Sequence, residues 1–295
     1  ICASFVDLTA HVGARPSHAV WQGKRYHRGG AVDYLGQHYE DFESATGYGT
    51  GAGLCGWNCH HTFFVVFPEL GSPPAWTQES LEALNARDIE YEGRLYTRYE
   101  ISQMQRARER AVRKWKRRYL AEDAAGADTT ASAVKLSQAR QSLADFTRAT
   151  GGRVDSARTS IHGFGRSEAS RASYAARKQE RFNAANTELQ QMREAGTIKA
   201  KGRLIESPSA PNEINFASDH VLQRWAERGM GPMDAERIIR SSKVAMSQRN
   251  GTQTCYYSEL GFVAIGQDGN VSSIGPLDEG GKKLMEVVKK HGIPH

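Results

Sequence analysis

Cysteine is scarce. The four in 295 residues, Cys2, Cys55, Cys59 and Cys255, are too few and too unevenly placed for a disulfide framework. Reduced thiols are the expectation. No apolar run in the sequence approaches the roughly 20 residues that a bilayer-spanning helix needs. No leader with a charged start, an apolar middle and a small-residue cleavage site is visible either. No membrane partner is therefore expected. No glycine loop runs into Lys-Ser/Thr and a helix start; Gly47-Tyr48-Gly49-Thr50-Gly51 lacks both, which argues against a phosphate cradle there. Residue 1 is Ile rather than Met, which predicts a fragment or a processed product of a longer chain.

What is present is a polar, basic chain. Lys and Arg number 39 against 33 Asp and Glu, and the mean hydropathy is −0.59. Such a chain favours polyanions, although net charge alone does not establish nucleic-acid binding. The length predicts two domains.

The most unusual stretch is Tyr48-Gly49-Thr50-Gly51-Ala52-Gly53-Leu54-Cys55-Gly56-Trp57-Asn58-Cys59-His60-His61. Glycines supply rare backbone angles, and Cys and His supply metal ligands or tight packing. Cys55, Cys59, His60 and His61 form a C-x3-C pair followed by His, a set that could hold zinc; His11 and His18 lie upstream. Free cysteine is also often simply buried, so a packed core with no cofactor is the competing expectation. Arg15, His18 and Gln22 form a further candidate group to which no reaction is assigned.

The fold class expected is α+β. Residues 1–97 read as a Gly/Cys/His-rich mixed domain. Val20-Trp21, Tyr26-His27 and His61–Phe67 are predicted strands, the last one buried. Thr77 is an N-cap candidate for a short helix, and Glu92-Gly93 a turn. Residues 98–196 read as a long, basic helical region: a helix over 98–122, a turn over 124–128, a second helix forming an antiparallel hairpin, and a third over 168–195. Residues 197–213 read as a linker. Residues 214–295 read as a small α+β domain in the order α-α-β-β-β-β-α, with an antiparallel sheet. Asn250-Gly251 and Asp268-Gly269-Asn270 are its hairpin signals.

Arg106, Arg110, Arg113, Lys114, Arg117 and Arg118 crowd the first long helix and are candidates for salt-sensitive, sequence-blind contact with nucleic acid. A merely solvated face, or one paired with an acidic protein, is the alternative.

Several motifs occur together and in order: Ala14-Arg15-Pro16-Ser17-His18, Trp21-Gln22-Gly23-Lys24, Gly53-Leu54-Cys55-Gly56-Trp57-Asn58-Cys59, and Tyr96-Thr97-Arg98-Tyr99-Glu100 with the basic helix after it. Over roughly residues 10–195 the chain resembles the tailed-phage minor capsid protein 2 family, related to the Mu F-like head-morphogenesis proteins. Val65-Val66 departs from the Pro-containing aromatic run expected there. The resemblance implies a head protein near the portal, present in few copies per virion. Its implied partners are portal and capsid proteins and packaged DNA, and its implied locations are the virion head and the host cytoplasm. Members of that family carry a long segment before this point.

The last 80 or so residues resemble something else. Phe216-Ala217-Ser218-Asp219-His220-Val221-Leu222-Gln223-Arg224-Trp225-Ala226-Glu227-Arg228-Gly229 is similar to the opening helix of phage-associated nucleases of the barnase/EndoU/colicin/RelE-like group. His220, Arg224 and Arg228 recur at i, i+4 and i+8, hence on one helix face. The resemblance implies a metal-independent endoribonuclease acting on RNA. In it His220 is the acid or base and Arg224 and Arg228 clamp the phosphate; Tyr256, Tyr257 and Ser258 on the sheet are candidate hydroxyl partners or a stacking platform, and the alternative is a solvated basic helix face with Glu227 pairing an Arg. The alternatives are an RNase effector packaged in the virion, and a purely structural head protein whose C-terminal domain is inactive.

Overall fold

Strand β1 (Phe5–Leu8) is the centre of a three-stranded antiparallel sheet, between β2 (Arg25–His27) and β5 (Phe63–Val66). We describe the protein from a computed structural model covering residues 4–211, 213–216 and 219–294; the side chains of Asp219, His220, Val221 and Arg224 lie outside the described set. The chain divides into two units, residues 1–117 with 138–162, and residues 118–137 with 163–295.

In the first unit, β1 is covered on both faces, with Val6 and Leu8 buried on one and Asp7 on the other. Val6, Leu8, Trp21, Tyr26, Phe42 and Leu54 are each at most 5% exposed and pack as one core. Burying a side chain of that size is worth about 1.5–3 kcal/mol. Asp7, on the same strand, is buried too. Its carboxylate accepts two hydrogen bonds from the Arg25 guanidinium, at 2.6 and 2.9 Å, and the same guanidinium donates to the carbonyls of Ser72 and Pro73. Around this sheet lie helix α1 (Pro16–Ala19), the hairpin β3 (Val32–Tyr34) and β4 (Gln37–Tyr39), and helix α2 (Phe42–Thr46).

Two expectations are corrected here. Val20-Trp21 is a turn after α1 rather than a strand, with Trp21 buried and Val20 exposed. Strand β5 forms, but at the sheet edge: Phe64 and Val65 are each 45% exposed, so it is not the buried strand its apolar run suggests.

Helix α3 (Gln78–Leu84) starts where Thr77 caps it, the Thr77 side chain accepting from the Ser80 amide. A hairpin of β6 (Arg87–Tyr91) and β7 (Arg94–Thr97) turns at Glu92-Gly93, both with positive φ. Helix α4 (Arg98–Ala124) opens on a reciprocal capping box. The Thr97 amide donates to Glu100 at 2.8 Å and the Glu100 amide to the Thr97 hydroxyl at 3.2 Å. Helix α5 (Thr130–Ala149) returns antiparallel: the Arg108 guanidinium lies 4.0 Å from the centre of the Phe146 ring near one end, and Glu122 meets Ser132 near the other.

The short helix α6 (Ser156–Thr159), still in the first unit, precedes α7 (Arg166–Glu194) of the second. Strand β8 (Arg203–Glu206) comes next, inside the stretch read as a linker. It pairs antiparallel with β9 (Val244–Gln248), and Leu204, only 1% exposed, gives it an apolar anchor. Helices α8 (Asp219–Glu227) and α9 (Pro232–Ser241) precede β9; β10 (Gln253–Ser258), β11 (Gly261–Gly266), β12 (Val271–Gly275) and α10 (Glu279–Lys290) follow it. The sheet order is β12-β11-β10-β9-β8, wholly antiparallel. Both faces are covered. Met246, Cys255, Tyr257 and Ala264 pack with Phe182 and Leu189 of α7 and Leu284 and Val288 of α10. Ala245, Tyr256, Val263 and Ile274 pack with Trp225 of α8 and Ile238 of α9. The α+β class, with long helices in the middle and an antiparallel sheet at the end, is what the structure has.

Candidate functional site

The site is built by a loop that folds tightly on itself. Gly47 closes α2 at φ 63°, and the chain then doubles back so that Gly53 abuts Gly47. A Cβ on Gly53 would stand 1.9 Å from the Gly47 carbonyl oxygen, and one on Gly56 would stand 2.5 Å from two carbonyl oxygens, Thr50 and Gly51. No side chain fits at either place. The loop drives Leu54 into the core, leaves Trp57 78% exposed, and delivers Cys59 to the side of α1.

Helix α1 presents His18. The amides of His18 and Ala19 donate to the Arg15 carbonyl, and the Gln22 amide donates to the His18 carbonyl, which sets His18 and Gln22 on one side of the turn. The Cys59 sulfur lies 3.7 Å from His18 Nδ1 and 3.7 Å from His61 Nδ1. The far nitrogens of both rings are engaged. His18 Nε2 is 3.1 Å from the Ala52 carbonyl oxygen, and His61 Nε2 is 2.9 Å from Gln22 Oε1. Gln22 Oε1 also accepts the His11 amide at 2.9 Å, which orients the Gln22 amide group. Since both partners of the Nε2 atoms are oxygen acceptors, each Nε2 carries the proton and each Nδ1 turns a lone pair toward the sulfur.

His18, Gln22 and His61 are each at most 5% exposed, and the Trp21 indole packs on both imidazoles, with centroids at 4.5 and 4.9 Å. Burial, reinforced by the neighbouring His11, His18, His60 and Arg15, pushes His61 down to about 4. Burial, with Arg15 adding to it, also lowers His18. Both rings are neutral at pH 7. Burial, with Cys59 adding to it, raises the Cys55 thiol.

On one side the cluster borders a cavity of about 370 Å³. His11, Arg15, His18, Asn58, His60 and His61 line it, and Tyr99, Ser102, Gln103 and Arg106 from the first turns of α4 form its other wall. Arg15 is held in place by donation to the Trp57 carbonyl at 3.0 Å.

Of the four residues read as a zinc set, Cys59 and His61 come together and Cys55 and His60 do not join them. Cys55, at φ 59°, turns its sulfur to the His61 carbonyl at 3.6 Å, and His60 is exposed on the cavity wall. The ligand atoms of His18, Cys59 and His61 instead lie within 4.8 Å of one another. Arg15, His18 and Gln22, the unassigned group, all belong to this one neighbourhood. Asn85, 3.5 Å from the Gln22 amide nitrogen, and Gln103 on the cavity wall join the site with no local sequence pattern to mark them, whereas Tyr99 on the same wall belongs to the Tyr96–Glu100 motif.

On α4, Arg106, Arg110, Lys114 and Arg117 are exposed along one stripe that continues from the cavity wall. Arg113 is half-buried and donates to the Arg158 carbonyl, Lys114 lies over Trp115, and Arg118 pairs with Glu122.

At the C-terminal end, the side chains of His220 and Arg224 lie outside the described residues. Arg228 donates to the Ile274 carbonyl at 2.8 Å. Tyr256 and Tyr257 sit on opposite faces of β10, 3% and 7% exposed, and burial raises both hydroxyls. Tyr256 reaches the Ser209 carbonyl at 3.4 Å. Ser258 is buried and accepts from the Leu260 amide. These three hydroxyls are not gathered on one open surface.

The sequence family described as phage minor capsid protein 2 matches residues 2–148, which contain the whole cluster and its cavity. No curated protein and no solved structure matches the chain. Residues 2–148, just under half of the chain, are thus similar to that family.

Proposed function

We propose that the protein is a structural component of a phage head, seated at the portal or on the inner capsid surface, and that it resides in the virion. The observation that carries this reading is the family match over residues 2–148. The polar groups of that segment support it, since several of the buried ones are spent inside the fold: Arg25 on Asp7, Gln22 on His61 and on the His11 amide. Such a unit serves as a rigid docking body. The stripe of Arg106, Arg110, Lys114 and Arg117 supplies contact with packaged DNA or with an acidic head protein. Co-expression with the phage's portal protein tests the seating. Co-purification through size exclusion is expected, and separate elution from assembled portal would refute it.

A second reading concerns residues 214–295. The element order α8, α9, four antiparallel strands, α10 is compatible with an RNase-like module. With Tyr256 and Tyr257 committed to the core, that reading rests on His220 and Arg224 of α8 and on Arg228 in the turn just after it. RNA cleavage by the full chain in EDTA, lost in His220→Ala, would establish it. Intact RNA after prolonged incubation would leave the domain with a structural role alone.

A further inference from the structure

Two imidazoles aim lone pairs at one sulfur. A thiol has one proton, so Cys59 can satisfy His18 Nδ1 or His61 Nδ1 but not both. The remaining nitrogen faces sulfur lone pairs in a place closed to water on most sides. A cation resolves the conflict, because all three donors then point at positive charge.

We propose that His18 Nδ1, His61 Nδ1 and the Cys59 thiolate bind one zinc ion, with the fourth position turned to the cavity and filled by water. Binding forms two Zn–N bonds and one Zn–S bond, and the thiol proton is released to solvent. Zinc bonds of about 2.3 Å to sulfur and 2.0–2.1 Å to nitrogen, set at tetrahedral angles, put S and N about 3.6 Å apart. The two sulfur–nitrogen distances here are both 3.7 Å. The outer contacts also fit. Metal-bound histidines hand their other ring N–H to a carbonyl or carboxylate, and here the acceptors are the Ala52 carbonyl and Gln22 Oε1. One thiolate with two neutral imidazoles is a donor set suited to zinc rather than to the oxygen-seeking Mg²⁺ or Ca²⁺. The fourth position follows from the lining of the cavity by His18 and His61. The ion would join α1, the end of the glycine loop and the approach to β5, with α1 far from the other two in sequence. This site stands on its own geometry and does not depend on the head-protein reading.

The test uses the full chain, stripped with chelator and titrated with Co²⁺ and then Zn²⁺. One equivalent of Co²⁺ should give a thiolate-to-cobalt charge-transfer band that zinc displaces. The band should vanish in Cys59→Ser and persist in Cys55→Ser. A readout without variants is alkylation mapping of the native chain, in which zinc should protect Cys59 and leave Cys55 as reactive as before. No charge-transfer band in the native chain, a band that survives Cys59→Ser, or equal alkylation of Cys59 with and without zinc would each overturn the assignment.

Discussion

Gly53 passes so close to Gly47 that a single added carbon on Gly53 would lie 1.9 Å from the Gly47 carbonyl oxygen. The obstacle is backbone, which cannot swing aside as a side chain does. Gly53→Ala should therefore destabilise the first unit by about 3 kcal/mol or more, at or above the upper end of ordinary overpacking costs. Gly49→Ala has open space and meets only the positive-φ penalty, about 1 kcal/mol. Urea denaturation of the two variants separates them; equal losses would contradict the close approach.

Gln22 is fully buried and serves two donors, His61 Nε2–H and the His11 amide, through one oxygen. Gln22→Leu keeps the bulk and strands both donors, at a cost of about 1–3 kcal/mol for each one left unsatisfied. Gln78→Leu, at an exposed site where the Gln78 side chain bonds Glu82, should change stability by less than about 0.5 kcal/mol. Denaturation midpoints check the contrast.

Asp7 and Arg25 form a bidentate ion pair with 4% and 9% of their side chains exposed. Removing Asp7 leaves the buried Arg25 charge with only the Ser72 and Pro73 carbonyls as partners. Asp7→Ala should cost about 3–5 kcal/mol in a denaturant titration. An exposed pair such as Arg148 with Asp145 has about 0–1 kcal/mol at stake.

Glu188 on α7 is held below the usual carboxylate range by its hydrogen bonds to Lys290 and then His291. A carboxylate whose folded value lies below its unfolded value adds stability that is complete above about pH 4.5 and disappears as pH falls through the folded value. The stability gap between the native chain and Glu188→Gln should thus shrink as pH falls below about 4.5. A gap that grows toward acid would reverse the sign and refute the pairing.

Much of the architecture is legible in the sequence because its signals are local. Thr77 caps a helix, Glu92-Gly93 turns a hairpin, and Asn250-Gly251 and Asp268-Gly269-Asn270 separate strands of the C-terminal sheet where expected. The strand Arg203–Glu206 is not legible, because its pairing with β9 depends on a partner distant in sequence. Strand β5 misleads because an apolar run does not reveal whether a neighbour strand lies beyond it. The cluster is half legible. Cys59 and His61 announce themselves in the motif, but His18 joins them across 41 residues, and only tertiary folding turns Cys55 and His60 away. The C-terminal tyrosines read as accessible hydroxyls because alternation along β10 does not tell that both sheet faces are covered by helices.

The exposed stripe on α4 gives a salt-dependent forecast. Replacing Arg106, Arg110, Lys114 and Arg117 by Ala should weaken binding to mixed-sequence duplex DNA equally across sequences. It should also reduce the slope of log affinity against log salt by about 0.9 for each phosphate no longer neutralised. An unchanged slope would assign the stripe to a protein neighbour.

The most direct test of the central claim is quantitative mass spectrometry of gradient-purified, nuclease-treated phage particles. A head component should be present at a fixed, low ratio to the major capsid protein, resist high-salt washing, and cross-link through residues 2–148 to portal or inner capsid protein. Its absence from washed particles, while it remains plentiful in the lysate, would contradict the account.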